Sequence, residues 1–200
     1  MNPEFLFDVA SPNAYFAHRV IPQVEARTGT RFVYRPVLLG GLFKLTNNQA
    51  PMIAFAGVPK KLAYEALEIE RFITRHQLTK FRMNPHFPLN TLGIMRTCIA
   101  AELEGDLMPF VEAAFALTWE EGIKLDDPAI MAGAMRAKGI PIDRLMARAQ
   151  EPDVKQRLLH NTEEAAERGA FGIPTFFVGN EIYFGKDRFT DVEEEIRRAG

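Results

Sequence analysis

A chain of 200 residues that is 47% hydrophobic can bury a sizeable core, which excludes a disordered chain and suggests one domain, or one domain carrying a large insertion. Its 24 basic and 26 acidic residues leave a formal net charge of −2, without the basic excess of a general nucleic-acid binder. The single cysteine, Cys98, excludes an intramolecular disulfide and a dithiol redox site, and His18, His76, His86 and His160 lack metal-ligand spacing, so no metal is expected.

The first residues, MNPEFLFDVA, have no basic start, no long apolar stretch and no cleavage site, so they read as a strand and not as a signal peptide. No apolar run is long enough to cross a membrane, and a soluble, cytosolic, non-membrane protein is expected. Phe5 to Val9 reads as a short buried strand. Ser11-Pro12 then marks a helix start, because a serine oxygen accepts an orphan backbone N–H and proline is favoured at the first helical position. The helix is predicted over Pro12 to Arg27, with Gly29 closing it. RFVYRPVLL (31–39) is a second strand, and strand, helix, strand at these lengths is a βαβ unit with a parallel pair.

GGLFKLTNNQAP (40–51) reads as a loop by composition. From Lys60 to about Gln77, Leu62, Leu67, Ile69, Phe72 and Ile73 recur at helical spacing. MNPHFPLN (83–90) is a Pro/Asn loop. Helices are then predicted over Thr91 to Leu103, Leu107 to Glu120, Pro128 to Ala137, Ile142 to Ala149 and Pro152 to Arg168. GIPTFFVGNEIYFG (172–185) is a hairpin about Gly179-Asn180. A last helix follows, with Thr190 and Glu193 at capping-box spacing. The order fits an α/β thioredoxin-like fold, a βαβ unit joined to a ββα unit, with an all-helical insertion of about 90 residues between the halves. The thioredoxin-like domain is expected over 1–45 and 165–200, and the inserted helical domain with its connecting segments over 46–164.

Three segments carry a resemblance: FDVASPNAYFA at the start, RPVLLGGLFK after it, and GAFGIPTFFVGNEIYFGKDR near the end. Together they make the chain similar, over its whole length, to the 2-hydroxychromene-2-carboxylate isomerases and the kappa-class glutathione transferases. These families belong to the disulfide-oxidoreductase branch of the thioredoxin superfamily. Where that branch carries a redox C-x-x-C, this chain has Ser11-Pro12-Asn13-Ala14. Both thiols are absent, and a hydroxyl remains on a helix N-terminus.

The resemblance implies glutathione as cofactor, its thiol lying against the hydroxyl of Ser11. It implies that the cysteinyl part binds main chain just before a cis-proline, matched by Ile173-Pro174. The glutamyl end would be held on the turn formed by Phe184, Gly185, Lys186, Asp187 and Arg188. Asn48 and Lys61 match further cofactor contacts, with Lys60 able to take the place of Lys61. Lys44 would pair with a small aromatic carboxylate substrate, with Phe43, Asn48 and Asn90 lining the same pocket. A homodimer is implied by both families.

Each residue also has a plain structural reading. Ser11 taken alone is a helix cap, and Pro174 a turn proline. Asp187 is charge at a helix N-terminus, the Lys60-Lys61 pair solvated surface, and Asn48 loop chemistry. Asn90 either caps a helix or lines the pocket. Trp119 reads as core or interface packing, Cys98 as a buried hydrophobe, and His18 as surface or interface and not a general base.

A serine suits a bound thiol on physical grounds. A free thiol of pKa about 8.5 is only a few per cent thiolate at neutral pH. Lowering that value by about two units requires roughly 2.7 kcal/mol of preferential thiolate stabilisation. A helix N-terminus supplies roughly 0.3–1 kcal/mol, up to about 2 when partly buried. A hydrogen bond to a charged acceptor adds roughly 1.5–3 kcal/mol. The dipole alone falls short, and the Ser11 hydroxyl closes the gap as a donor. The resemblance makes the first expectation a glutathione-dependent isomerase interconverting 2-hydroxychromene-2-carboxylate and trans-o-hydroxybenzylidenepyruvate. The second is a kappa-type glutathione transferase or peroxidase. The third is a non-catalytic module that binds glutathione or an extended peptide beside Ile173-Pro174.

Overall fold

The computed structural model describes residues 2–199. Its centre is a four-stranded mixed sheet of order β2-β1-β3-β4, from β1 (Glu4–Phe7), β2 (Val33–Pro36), β3 (Thr175–Val178) and β4 (Glu181–Phe184). β1 and β2 are parallel, with Phe5 opposite Tyr34; β3 runs antiparallel to both β1 and β4. The parallel crossover is α1 (Pro12–Thr28), which Ser11 caps and a left-handed Gly29 (φ 70°) ends. α10 (Phe189–Ala199) lies beside it, tied by the Arg27–Glu193 ion pair. Between β2 and β3 come α2 (Leu39–Thr46), α3 (Pro51–Ala54), α4 (Pro59–His76), α5 (Leu92–Glu104), α6 (Leu107–Trp119), α7 (Pro128–Ala137), α8 (Ile142–Arg148) and α9 (Pro152–Glu167).

Phe5, Leu6 and Phe7 are all buried because both faces of the sheet are covered. Phe5 and Phe7 share one face with Tyr34 and Phe176, where they meet Phe115 of α6 and Phe189 of α10. Leu6 points the other way, towards Asn161 and Ala165 of α9. One contiguous core runs from these strands through Met95, Phe110 and Leu145 of the inserted helices, so the segments either side of residues 46 and 164 share a core.

Three sequence expectations are corrected. The segment 40–51 is only partly a loop: residues 40–46 belong to α2 and Pro51 starts α3, with residues 47–50 between them beginning at a left-handed Asn47 (φ 52°) whose N–H bonds the Phe43 carbonyl. Gly40-Gly41 looked like a breaker, but Gly41 permits close packing, since a Cβ there would stand 3.0 Å from Thr162 Cγ2. The capping box is also absent. α10 begins at Phe189, which puts Thr190 inside the helix, and Glu193 turns to Arg27 and Arg197. Finally, His18 is buried at 4% exposure, its Nδ1 2.8 Å from the Tyr34 hydroxyl and its Nε2 2.8 Å from Glu112. Partners 16 and 94 residues away decide its burial, and helical periodicity does not reveal them. Among the described residues no helix is long and apolar enough to cross a membrane.

Candidate active site

The turn from β1 into α1 is fixed from several sides. The Ser11 N–H donates to the Asp8 carbonyl at 3.0 Å. The Trp119 indole N–H, at 0% exposure, donates to the Val9 carbonyl at 2.9 Å, which settles this side chain as core. Asp8 is fully buried. Its carboxylate accepts from the Ala10 N–H (2.9 Å), the Leu39 N–H (2.8 Å) and the Thr91 hydroxyl (3.0 Å). Burial raises its pKa against the pull of those donors. Asp8 thus fastens the Ser11 turn to the first residue of α2 and to the residue before α5.

Ser11 is 5% exposed. Its Oγ accepts from the Ala14 N–H at 3.1 Å and donates to the Ile173 carbonyl at 3.3 Å. The first bond is the capping interaction; the second reaches across the sheet to the residue before Pro174. At 3.3 Å that donor bond is long for an O–H donor and is easily redirected to a better acceptor. A ligand anion approaching Ser11 in place of the Ile173 carbonyl would meet the hydroxyl proton and the positive end of a 17-residue helix.

The Ile173–Pro174 bond is cis. The Pro174 carbonyl accepts from Gly185 N–H at 2.9 Å, which brings the turn after β4 beside it. Gly185 has φ 104°, a conformation that favours glycine. Phe184 packs at a tilt against Phe171, ring centroids 4.6 Å apart, and lies over Gly172, where a Cβ would come within 2.8 Å of its ring. Asn48 joins this cluster from α2, its side-chain amide donating to the Phe171 carbonyl at 2.9 Å. Lys186 is 4% exposed: its ammonium donates to both Asp187 oxygens (2.9 and 2.6 Å) and lies 4.8 Å over the Phe72 ring. Ser11, Asn48, Ile173, Pro174, Phe184, Gly185, Lys186 and Asp187 therefore fall on one linked set of loops at one end of the sheet.

Other residues singled out from the sequence lie elsewhere. Lys61 is exposed and rests its ammonium 3.3 Å over the Phe55 ring. Lys44 lines a cavity between α2, α5 and α9 that neither Phe43 nor Asn48 lines. Asn90 serves the start of α5, its Oδ1 accepting from Leu92 N–H at 3.2 Å while its own N–H reaches Asp126.

The sequence reading passed over Asn13. Its side-chain oxygen is buried and has no hydrogen-bond partner, two residues after Ser11 in the first turn of α1. A signal existed: Asn13 is the one amide in the Ser11–Ala14 slot. Asp8 was also passed over, because a carboxylate next to a helix start reads as ordinary turn chemistry until its burial is known.

Comparison with known proteins adds the evolutionary frame. The family model described as "DSBA-like thioredoxin domain" matches residues 4–197. A 2-hydroxychromene-2-carboxylate isomerase from Sphingobium xenophagum is 27% identical over 195 residues, 96% of each chain. Human glutathione S-transferase kappa 1 is 25% identical over 205 residues, 92% of this chain and 86% of that protein. The crystal structure of a 2-hydroxychromene-2-carboxylate isomerase superposes with a TM-score of 0.83 at 23% identity, covering 100% of this chain and 96% of the other.

Proposed function

The chain belongs to the DSBA-like thioredoxin domain family, and from that premise we propose that it is a glutathione-dependent isomerase of the 2-hydroxychromene-2-carboxylate type. The observation that carries the reading is the Ser11 hydroxyl. It stands on the N-terminus of α1 where a disulfide oxidoreductase would place a thiol, and it is hydrogen-bonded to the residue before cis-Pro174. The only cysteine, Cys98, is fully buried, and burial raises its thiol pKa well above the usual range, so the nucleophilic sulfur has to come from a ligand. Relatives that carry isomerase and glutathione transferase names along nearly the whole chain support glutathione as that ligand.

In this reading the Ser11 hydroxyl would turn from the Ile173 carbonyl and donate a hydrogen bond to the glutathione thiolate. The main chain beside Ile173 would hold the cysteinyl part, and Gly185, Lys186 and Asp187 the glutamyl end. Asp187, half-exposed, can take the α-amino group while Lys186 keeps its place over Phe72. Phe184 and Asn48 border the same end. When bound, glutathione would supply the sulfur nucleophile for reversible addition to the conjugated chromene.

One observation favours the transferase as a second reading. Lys44, the candidate partner for a substrate carboxylate, lies about 100° around α2 from Phe43 and faces a different cavity. A site without that lysine suits uncharged electrophiles.

Ser11→Ala tests the shared mechanism. Losing a hydrogen bond to a charged acceptor, worth about 1.5–3 kcal/mol, should raise the pKa of the bound thiol by about one to two units. Ultraviolet titration of bound glutathione reads this directly, and turnover at pH 7 should fall roughly 10- to 100-fold. An unchanged titration curve would overturn the role of Ser11. Conversion of hydroxychromene carboxylate separates isomerase from transferase.

A further inference from the structure

A cavity of about 600 Å³ opens between α2, the start of α5 and α9 from Pro152 to Glu163. None of the residues placed at the Ser11 end lines it; Lys44, which lies away from that end, does. Gly41, Lys44 and Leu45 share the face of α2 that borders it, while Phe43 lies on the opposite face. The volume lies within the range of small-molecule sites, roughly 300–1,000 Å³.

Its charge is unusual for this chain. Lys44, Arg96 and Lys155 converge on it from three helices. Most cations of the protein are ion-paired, yet these three have no salt bridge and no side-chain hydrogen bond among the described residues. The one carboxylate on the wall is Glu163. Leu92 and Pro152, also on the wall, are the first residues of α5 and α9, so two helices of 13 and 16 residues point their positive ends at the same space. The rest of the lining is mainly apolar and includes the exposed Leu159. A concave wall with three unpaired cations and one carboxylate concentrates positive potential.

We propose that this cavity binds an amphipathic anion: a carboxylate held by Arg96, Lys155 and Lys44 over an apolar body packed on Leu92 and Leu159. The site is additional to the thiolate end and does not depend on the reaction assigned there.

The test is calorimetric titration with 2-naphthoate, and with the neutral 2-naphthamide, on the full chain in saturating glutathione. The expected result is one molecule of naphthoate bound per chain, weakening as salt is raised. The naphthamide should bind at least tenfold more weakly. Arg96→Gln/Lys155→Gln should weaken naphthoate about tenfold or more, and the charge-conserving Arg96→Lys/Lys155→Arg should retain most of it. Ser11→Ala should leave binding intact. Equal binding of the two probes, no naphthoate binding, an unchanged double variant, or loss in Ser11→Ala would each overturn the proposal. Because both surface substitutions leave the core alone, a circular-dichroism melt separates misfolding from lost recognition. A failed thiol titration with naphthoate binding intact would reject the enzyme reading alone.

Discussion

At the scale of single residues, Ser11 makes two side-chain hydrogen bonds, of which only the cap is legible in the sequence. It caps α1 through Ala14 and offers its proton across the sheet to Ile173. Asn13 shows the asymmetry of buried polar groups: an oxygen left without a partner has lost its water at a cost of about 1–3 kcal/mol. If glutathione supplies the missing donor, Asn13→Ala should leave the melting temperature of the free protein level or raised. It should also weaken glutathione roughly five- to tenfold, the value of one hydrogen bond of about 1–1.5 kcal/mol. Calorimetry and a thermal melt read the two effects. A several-degree loss of stability with unchanged affinity would make Asn13 purely structural.

At the scale of elements, α2 carries the most consequence. Asp8 holds its first residue, Asn48 just beyond its end bonds the Phe171 carbonyl, and Gly41 lets it press on α9. Gly41→Ala sets two effects against each other. Helix propensity gains about 1 kcal/mol, while overpacking a tight contact costs about 1–3 kcal/mol. Thr162, the side chain in the way, cannot step aside. Its hydroxyl accepts from the Leu38 N–H at 3.0 Å and donates to the Leu158 carbonyl at 2.7 Å. The net expectation is a loss of about 1 kcal/mol, a drop of roughly 2–4 °C in a thermal melt. A rise in Tm would show that α9 yields. The sequence hid this helix because Gly-Gly followed by Asn-Asn is turn chemistry when read locally. Its helical form depends on α9, more than 100 residues away.

At the scale of the whole molecule, the two parts of the chain are coupled by charge as well as by core. His18 and Arg19 of α1 both reach Glu112 of α6, and Arg19 also reaches Glu120 just beyond it. The His18 bond first, and Arg19 beside it, hold the Glu112 carboxyl down to about 2 from its ordinary 4.5. The folded state therefore binds this proton less readily than the unfolded chain. The stability it contributes is complete above pH about 4.5 and is lost as pH falls towards 2. Glu112→Gln should accordingly flatten part of the acid limb of the stability–pH curve and lower stability at pH 7. Glu112 is half-exposed, so the effect is a modest one. Urea melts between pH 7 and 3 check it, and parallel curves for the two proteins would exclude the coupling.

The sequence by itself determined what depends on near neighbours. The first βα turn, the N-cap at Ser11, the long helices and the hairpin about Gly179 follow from periodicity, capping and turn preferences, which act within a few residues. Only the tertiary structure decided burial and pairing, because those are set by segments far apart in the chain. It buried His18 against Tyr34 and Glu112, drew Lys186 over Phe72, and left the oxygen of Asn13 unpartnered. It also turned Lys44 away from Phe43, although the two are adjacent in sequence, since successive residues of a helix point about 100° apart.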